Sequence, residues 1–176
     1  TALIWKEAIF SLRNKVMKNF SLPSKPERVY LKRKPSHYRN ITNIEEIEEL
    51  LKSFDFNFYR MEEYPAKEQI EIVSHASLLV FSVESTATFA SMFASNDCLT
   101  IELMPDTADG VWGGGMGAYV LGYRYQRIIG KTVDMNSTKF RESAPPEFRD
   151  INKDYHINPE VLSKAICDSI ALIDQK

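Results

Sequence analysis

Apolar residues recur along this chain in two alternating rhythms, one helical and one extended. Over residues 3–20, Trp5, Ile9, Leu12 and Val16 return every three or four positions, with Lys6, Arg13, Lys15 and Lys18 on the other side. That spacing predicts an amphipathic helix with a basic outer face. Ser21 to Pro26 carries two prolines and ends it. Arg28 to Leu31 then reads as a short strand. Residues 43–53 return to helical spacing through Ile44, Ile47, Leu50 and Leu51. Thr42 or Asn43, with Glu45 or Glu46 three residues on, has the form of a capping box. Phe54 to Tyr59 is rich in aromatic residues that suit a pleated surface. Pro65 opens the next helix, whose inner stripe is Ala66, Ile70 and Val73.

The middle of the chain repeats the alternation most clearly. Ser77 to Ser82 is an apolar strand, Val83 to Thr86 a polar turn, and small apolar residues run as a helix to Ala94. Cys98 to Leu103 is a second apolar strand carrying a lone acid, Glu102, at its end. Met104 to Gly117 is glycine-rich and irregular, Tyr119 to Leu121 closes a short helix, and Arg124 to Ile129 is a further strand. Residues 131–154 read as a polar surface excursion. Asn158-Pro159 starts a final helix lined by Val161, Leu162, Ala165, Ile166, Ser169, Ile170 and Ile173.

Strands alternating with helices imply parallel pairing through right-handed crossovers. The expected fold is therefore α/β: a Rossmann-like parallel sheet of five strands with helices on both faces. Residues 1–24 are expected to form a connecting helix and linker, and residues 25–176 the Rossmann-like domain. In such a sheet the ligand lies outside the carboxyl ends of the strands, so residues that follow strands rank first.

Length and composition permit this reading. The 176 residues, 44% hydrophobic and 26% charged, suit one packed core. No apolar run approaches the roughly 20 residues of a membrane span, and early charges leave no room for a secretory signal. The chain opens on Thr1 rather than Met, so a longer polypeptide is expected. Cys98 and Cys167 read as two buried thiols of a reducing compartment. Neither they nor His37, His75 and His156 make a metal-ligand spacing. Charge is unevenly spread. Residues 1–40 hold ten Lys/Arg and two Asp/Glu, a net +8, and the rest holds twelve and twenty-two, a net −10. A basic opening on an acidic body suggests anion binding near the start.

Four groups of residues carry candidate chemistry. Lys32-Arg33-Lys34, with His37, Arg39 and Asn40, follow the first strand. Arg offers a planar fork and Lys a compact charge to phosphate oxygens, although such a run can equally be a solvated loop. Ser85 and Thr86 open a helix after the third strand, where hydroxyls and unpaired N–H groups welcome an anion. Ser85 can also be a plain N-cap. Glu84 beside them repels a phosphate, so it either faces a sugar, acts as a base, or simply favours the helix start. Glu102 suits the two hydroxyls of a ribose, or a rim Arg or Lys. The string Gly113 to Ala118 is a weak match to a dinucleotide fingerprint, because it does not follow a strand. It reads better as a substrate loop, with Trp112 beside it to stack or pack. Tyr123 and Tyr125 read as core and rim.

Taken in order, these pieces resemble glycosyltransferase family 61. The resemblance rests on Arg28 to Lys34, Arg39-Asn40-Ile41, Glu45/Glu46 and Glu68-Gln69-Ile70, followed by Thr100-Ile101-Glu102-Leu103, Leu121 to Tyr125, and Ile157 to Leu162. It spans about Glu27 to Ile173. It implies a GT-B type fold, of which this chain supplies mainly the carboxyl-terminal, donor-binding half, and an inverting transfer from a nucleotide-sugar. The acceptor it implies is a glycan, a lipid-linked sugar or a capsular or other surface polysaccharide. The expected location is the cytoplasm, with peripheral attachment of the full-length protein to the inner face of the membrane as an option. Where the family has a His-Gly-Ala-Gly-type turn, this chain has Val83-Glu84-Ser85-Thr86-Ala87, and the glycines that allow close backbone approach are gone.

On this reading Arg33, Lys34 and Arg39 hold the donor phosphates, with Asn40, Ser85 and Thr86 assisting. Glu102 holds the ribose and Glu84 is the candidate general base. There is no Asp-x-Asp string, so no metal or other cofactor is called for; cations and helix dipoles stabilise the leaving nucleotide. A non-catalytic nucleotide-sugar-binding or scaffold module is the alternative, favoured by the altered turn. Nucleic-acid binding through the basic opening ranks last, since no reading motif accompanies it.

Overall fold

A computed structural model describes residues 2–20, 26–35, 39–83, 91–108, 121–133 and 153–175. These form a mixed α/β fold around one six-stranded sheet. The elements run α1 (Ala2–Met17), β1 (Glu27–Leu31), α2 (Ile44–Ser53), β2 (Asn57–Tyr59), α3 (Ala66–Ser74), β3 (Ala76–Ser82), β4 (Leu99–Pro105), β5 (Arg124–Thr132), β6 (Tyr155–His156) and α4 (Pro159–Ile173). Strand order is β2-β1-β3-β4-β5-β6. The first five are parallel. The sixth, two residues long, is antiparallel to β5, which corrects the expectation of a five-stranded, wholly parallel sheet.

The short β6 exists because Gly130 lets it approach. A Cβ on Gly130 would stand 2.8 Å from the His156 carbonyl oxygen and from Ile157 Cδ1, closer than packed atoms allow. β5 consequently runs to Thr132, three residues past the predicted end at Ile129.

Both faces of the sheet are covered. β4 is buried at all seven positions, the continuous apolar pattern of a central parallel strand. On one face, Tyr30, Leu78, Val80, Ile101 and Leu103 pack against Ile47 and Leu51 of α2 and Leu162, Ala165 and Ile166 of α4. On the other, Val29, Leu31, Leu79 and Phe81 pack with Val73 of α3, joined by Val16 and Met17 of α1. Each fully buried aliphatic side chain contributes about 1.5–3 kcal/mol.

Several local expectations change for physical reasons. In α1 the predicted inner residue Leu12 is 51% exposed, whereas the predicted outer residue Arg13 is buried. Arg13 donates from Nε to the Met92 carbonyl at 3.1 Å and from Nη2 to the Ala94 carbonyl at 2.8 Å. The Trp5 side chain lies outside the described residues. β2 starts three residues later than predicted, because Phe54 to Phe56 finish α2. The N–H groups of Phe54 and Phe56 donate to Leu51, that of Asp55 to Lys52, and Asp55 takes φ 57°, a left-handed close that Asp tolerates. Ala66 and Val161 face solvent rather than the core. Cys98 is buried, but Cys167 is exposed. Asn158 caps α4, accepting from the N–H groups of Glu160 and Val161.

Candidate functional site

The register of the sheet decides which residues meet. Leu31 of β1 lies beside Phe81 of β3, Phe81 beside Glu102 of β4, and Glu102 beside Arg127 of β5. Leu31 is the last residue of β1, while β4 and β5 continue to Pro105 and Thr132. Glu102 is thus not at the end of its own strand, as the sequence suggested. It is level with the end of β1, two strands away, or about 10 Å.

At that end of β1 the chain turns through the basic segment. Lys32 is neutralised, with Nζ 2.7 Å from Glu48 Oε1 of α2. Arg33 is half-buried and donates from Nη1 to the Arg39 carbonyl. Arg39 adopts φ 56°, a left-handed backbone that costs a non-glycine residue energy and persists only where its surroundings enforce it. Lys34 is exposed. Residues 36–38, including His37, lie outside the described residues.

Asn40 has a structural engagement. Its backbone N–H and its Nδ2 both donate to Asp154 Oδ1, at 2.7 and 3.1 Å. The seam continues as Tyr155 N–H donates to the Asn40 carbonyl at 3.0 Å and Thr42 N–H to the Tyr155 carbonyl at 2.8 Å. The segment leading into α4 therefore closes the side of the basic turn. Tyr155 is fully buried there, its hydroxyl donating to the Leu103 carbonyl at 3.1 Å. Its pKa is pushed far above the ordinary value, first by burial and next by Tyr30, while Arg33 and Arg39 pull it down and Glu102 pushes it up.

Glu102 is the largest departure from expectation. It is 0% exposed, and its carboxylate is engaged within the protein. The Tyr125 hydroxyl donates to Glu102 Oε2, and Arg127 Nε donates to the Tyr125 oxygen at 2.8 Å. Buried acids demand such partners. The sequence places Tyr125 at the rim and gives Arg127 no role. Their one signal was the alternation Arg124-Tyr125-Gln126-Arg127, which sends the second and fourth residues to the same face.

Glu84, Ser85 and Thr86, with Trp112 and the glycine string at 113–118, lie outside the described residues. The chain enters the first three directly from Val83, which is buried at the end of β3 and donates its N–H to the Leu103 carbonyl at 2.9 Å. No group of three or more His, Cys, Asp or Glu side chains that could hold a metal ion occurs among the described residues. No described helix is long and apolar enough to cross a membrane.

A cleft of about 260 Å³ lies around the starts of β1 and β3, lined by Glu27, Tyr59, Tyr64, Glu68, Glu71, Ile72 and His75. Its three carboxylates repel a phosphate, and none of the predicted site residues lines it.

The family model described as Glycosyltransferase 61 matches residues 4–101, more than half of the chain, from α1 into β4. No curated protein matches it.

Proposed function

The chain belongs to glycosyltransferase family 61, and we propose that it binds a nucleotide-sugar at the carboxyl edge of its sheet and passes the sugar to a glycan acceptor with inversion. The observation that carries this reading is the basic turn at the carboxyl end of β1, where Arg33 Nη1 donates to the carbonyl of Arg39 and Arg39 is held at φ 56°. Two guanidinium residues on one turn past a strand end suit a dianionic leaving group, as a nucleotide phosphate is.

In this reading Arg33, Arg39 and the exposed Lys34 neutralise the donor phosphates. Ser85 and Thr86 add hydroxyls and N–H groups after β3. Asn40 acts at one remove, by fastening the basic turn to Asp154. Glu84 takes the proton of the acceptor hydroxyl as its oxygen attacks the anomeric carbon opposite the departing nucleotide. The chain then corresponds to the donor-binding half of a GT-B enzyme, with residues 25–176 as that domain. A surface polysaccharide or lipid-linked sugar is the acceptor class that fits.

Calorimetric titration with UDP, GDP and CMP tests the donor site. One of the three binds the wild type, and Arg33→Ala weakens it about tenfold or more. Undiminished affinity in Arg33→Ala removes the site assignment. Binding of a nucleotide-sugar without turnover, once acceptor glycans are supplied, favours the non-catalytic module instead.

A further inference from the structure

We propose that Tyr125 is a positioning residue for the donor site: by joining Glu102 to Arg127 through its hydroxyl, it presents the Arg127 guanidinium to a donor phosphate. The inference rests on the donor-site reading given above.

The chain of donors has one direction. Arg127 Nε gives its proton to the Tyr125 oxygen at 2.8 Å, and the Tyr125 hydroxyl gives its own to Glu102. A phenol has one proton and can accept while it donates, so both roles of the hydroxyl are used. The Tyr125 pKa is raised, first by burial and then by the hydrogen bond to Glu102, which keeps the proton in place at any ordinary pH. The Arg127 guanidinium carbon also lies 5.7 Å from the centre of the Tyr125 ring, within range of a cation–π contact. One aromatic residue thus holds the guanidinium at its hydroxyl end.

The location argues for a ligand. Glu102 and Arg127 are register partners, level with the last residue of β1, where the chain turns into Arg33. Glu102 is wholly buried, but Tyr125 and Arg127 are half-buried, so the relay runs from the interior outward. The same chain that satisfies the buried carboxylate of Glu102 also fixes the orientation of the guanidinium. A phosphate-binding one gains from a fixed orientation, because its fork must meet two oxygens at once.

Calorimetry with UDP, GDP and CMP, and with inorganic pyrophosphate as a base-free control, tests this on the whole protein. For the nucleotide that binds, Tyr125→Phe weakens affinity about tenfold, the loss of one charge-assisted hydrogen bond. Arg127→Gln weakens it at least as much. Arg127→Lys keeps the charge but not Nε, and serves as the second variant if Arg127→Gln does not fold. The deciding readout is the double variant. If Tyr125 works through Arg127, Tyr125→Phe adds nothing on the Arg127→Gln or Arg127→Lys background, whereas a merely structural tyrosine gives losses that multiply. Wild-type affinity in Tyr125→Phe, or multiplying losses, overturns the inference. If Arg33→Ala weakens binding while Tyr125→Phe does not, this inference alone falls. If the wild type binds none of the nucleotides, the donor-site reading falls and takes this one with it.

Discussion

Asn43 and Ile157, 114 residues apart, exchange two hydrogen bonds: Ile157 N–H donates to Asn43 Oδ1 at 3.1 Å, and Asn43 Nδ2 donates to the Ile157 carbonyl at 2.8 Å. The primary amide takes the place of a strand neighbour. Its second N–H goes to Glu46 Oε2 at 2.9 Å, so every polar group of the side chain is engaged. Asn43→Ala strips a half-buried backbone segment of both partners and costs about 1–3 kcal/mol. Glu46→Ala, on an exposed pair, costs less than about 0.5 kcal/mol. Urea unfolding of both variants checks this, and equal losses refute it.

That ranking inverts what the local sequence suggests. Asn43 and Glu46 have the spacing of a capping box, yet Asn43 makes no side-chain cap hydrogen bond to α2. The short-range pattern located the start of the helix to within one residue. It could not show that a segment from the far end of the chain would compete for the same amide and win.

The Arg13 guanidinium is the second long-range tether. It serves the carbonyls of Met92 and Ala94, and its carbon stands 5.5 Å from the centre of the Tyr123 ring. The Tyr123 hydroxyl donates to the same Met92 carbonyl at 3.1 Å. Arg13→Ala is expected to lower stability by about 2–3 kcal/mol. Arg13→Lys recovers little, since a point charge cannot fork to two carbonyls. Because the two residues share Met92, Arg13→Ala and Tyr123→Phe should be non-additive in a double-mutant cycle. Strict additivity would show the tether to be unshared.

These cases mark what was legible in the chain. Apolar periodicity gave the helices and the first five strands, because burial of Ile47, Leu79 or Ile101 needs no partner of particular identity. Tyr155-His156 was missed because two residues show no period; the pairing depends on Gly130 opposite. In the site, the rule that ligands sit past strand ends singles out Arg33 and Arg39, which follow β1. The same rule places Glu102 at a strand end, whereas strands of unequal length put the middle of β4 level with the end of β1, with β3 between them. Arg13 was assigned outward on charge alone, although a guanidinium that finds two backbone carbonyls can be buried.

Gly130→Ala tests the closure of the sheet. The added methyl would meet backbone as well as side chain at His156 and Ile157, and a backbone carbonyl cannot rotate away. The variant should lose about 1–3 kcal/mol, with amide exchange quickening first at Tyr155 and Thr42, which share the seam. A stability loss with unchanged protection at those two amides would place the strain elsewhere.

The two cysteines make the last prediction. Burial pushes the Cys98 thiol from its ordinary 9.0 up to about 12, and the thiolate is the reactive form. Near neutral pH an alkylating reagent should therefore label the exposed Cys167 alone in the folded protein, and both thiols in denaturant. The same shift links to stability. Between pH 9 and 12 the unfolded chain releases the Cys98 proton while the folded chain retains it. The unfolded state then binds fewer protons, so stability falls as pH rises, by about 1.4 kcal/mol per pH unit from this group. Cys98→Ala removes that slope, at the cost of a small cavity at every pH. Unfolding midpoints from pH 8 to 11 for the wild type and Cys98→Ala check the sign. Parallel curves would show that the alkaline loss arises from other groups.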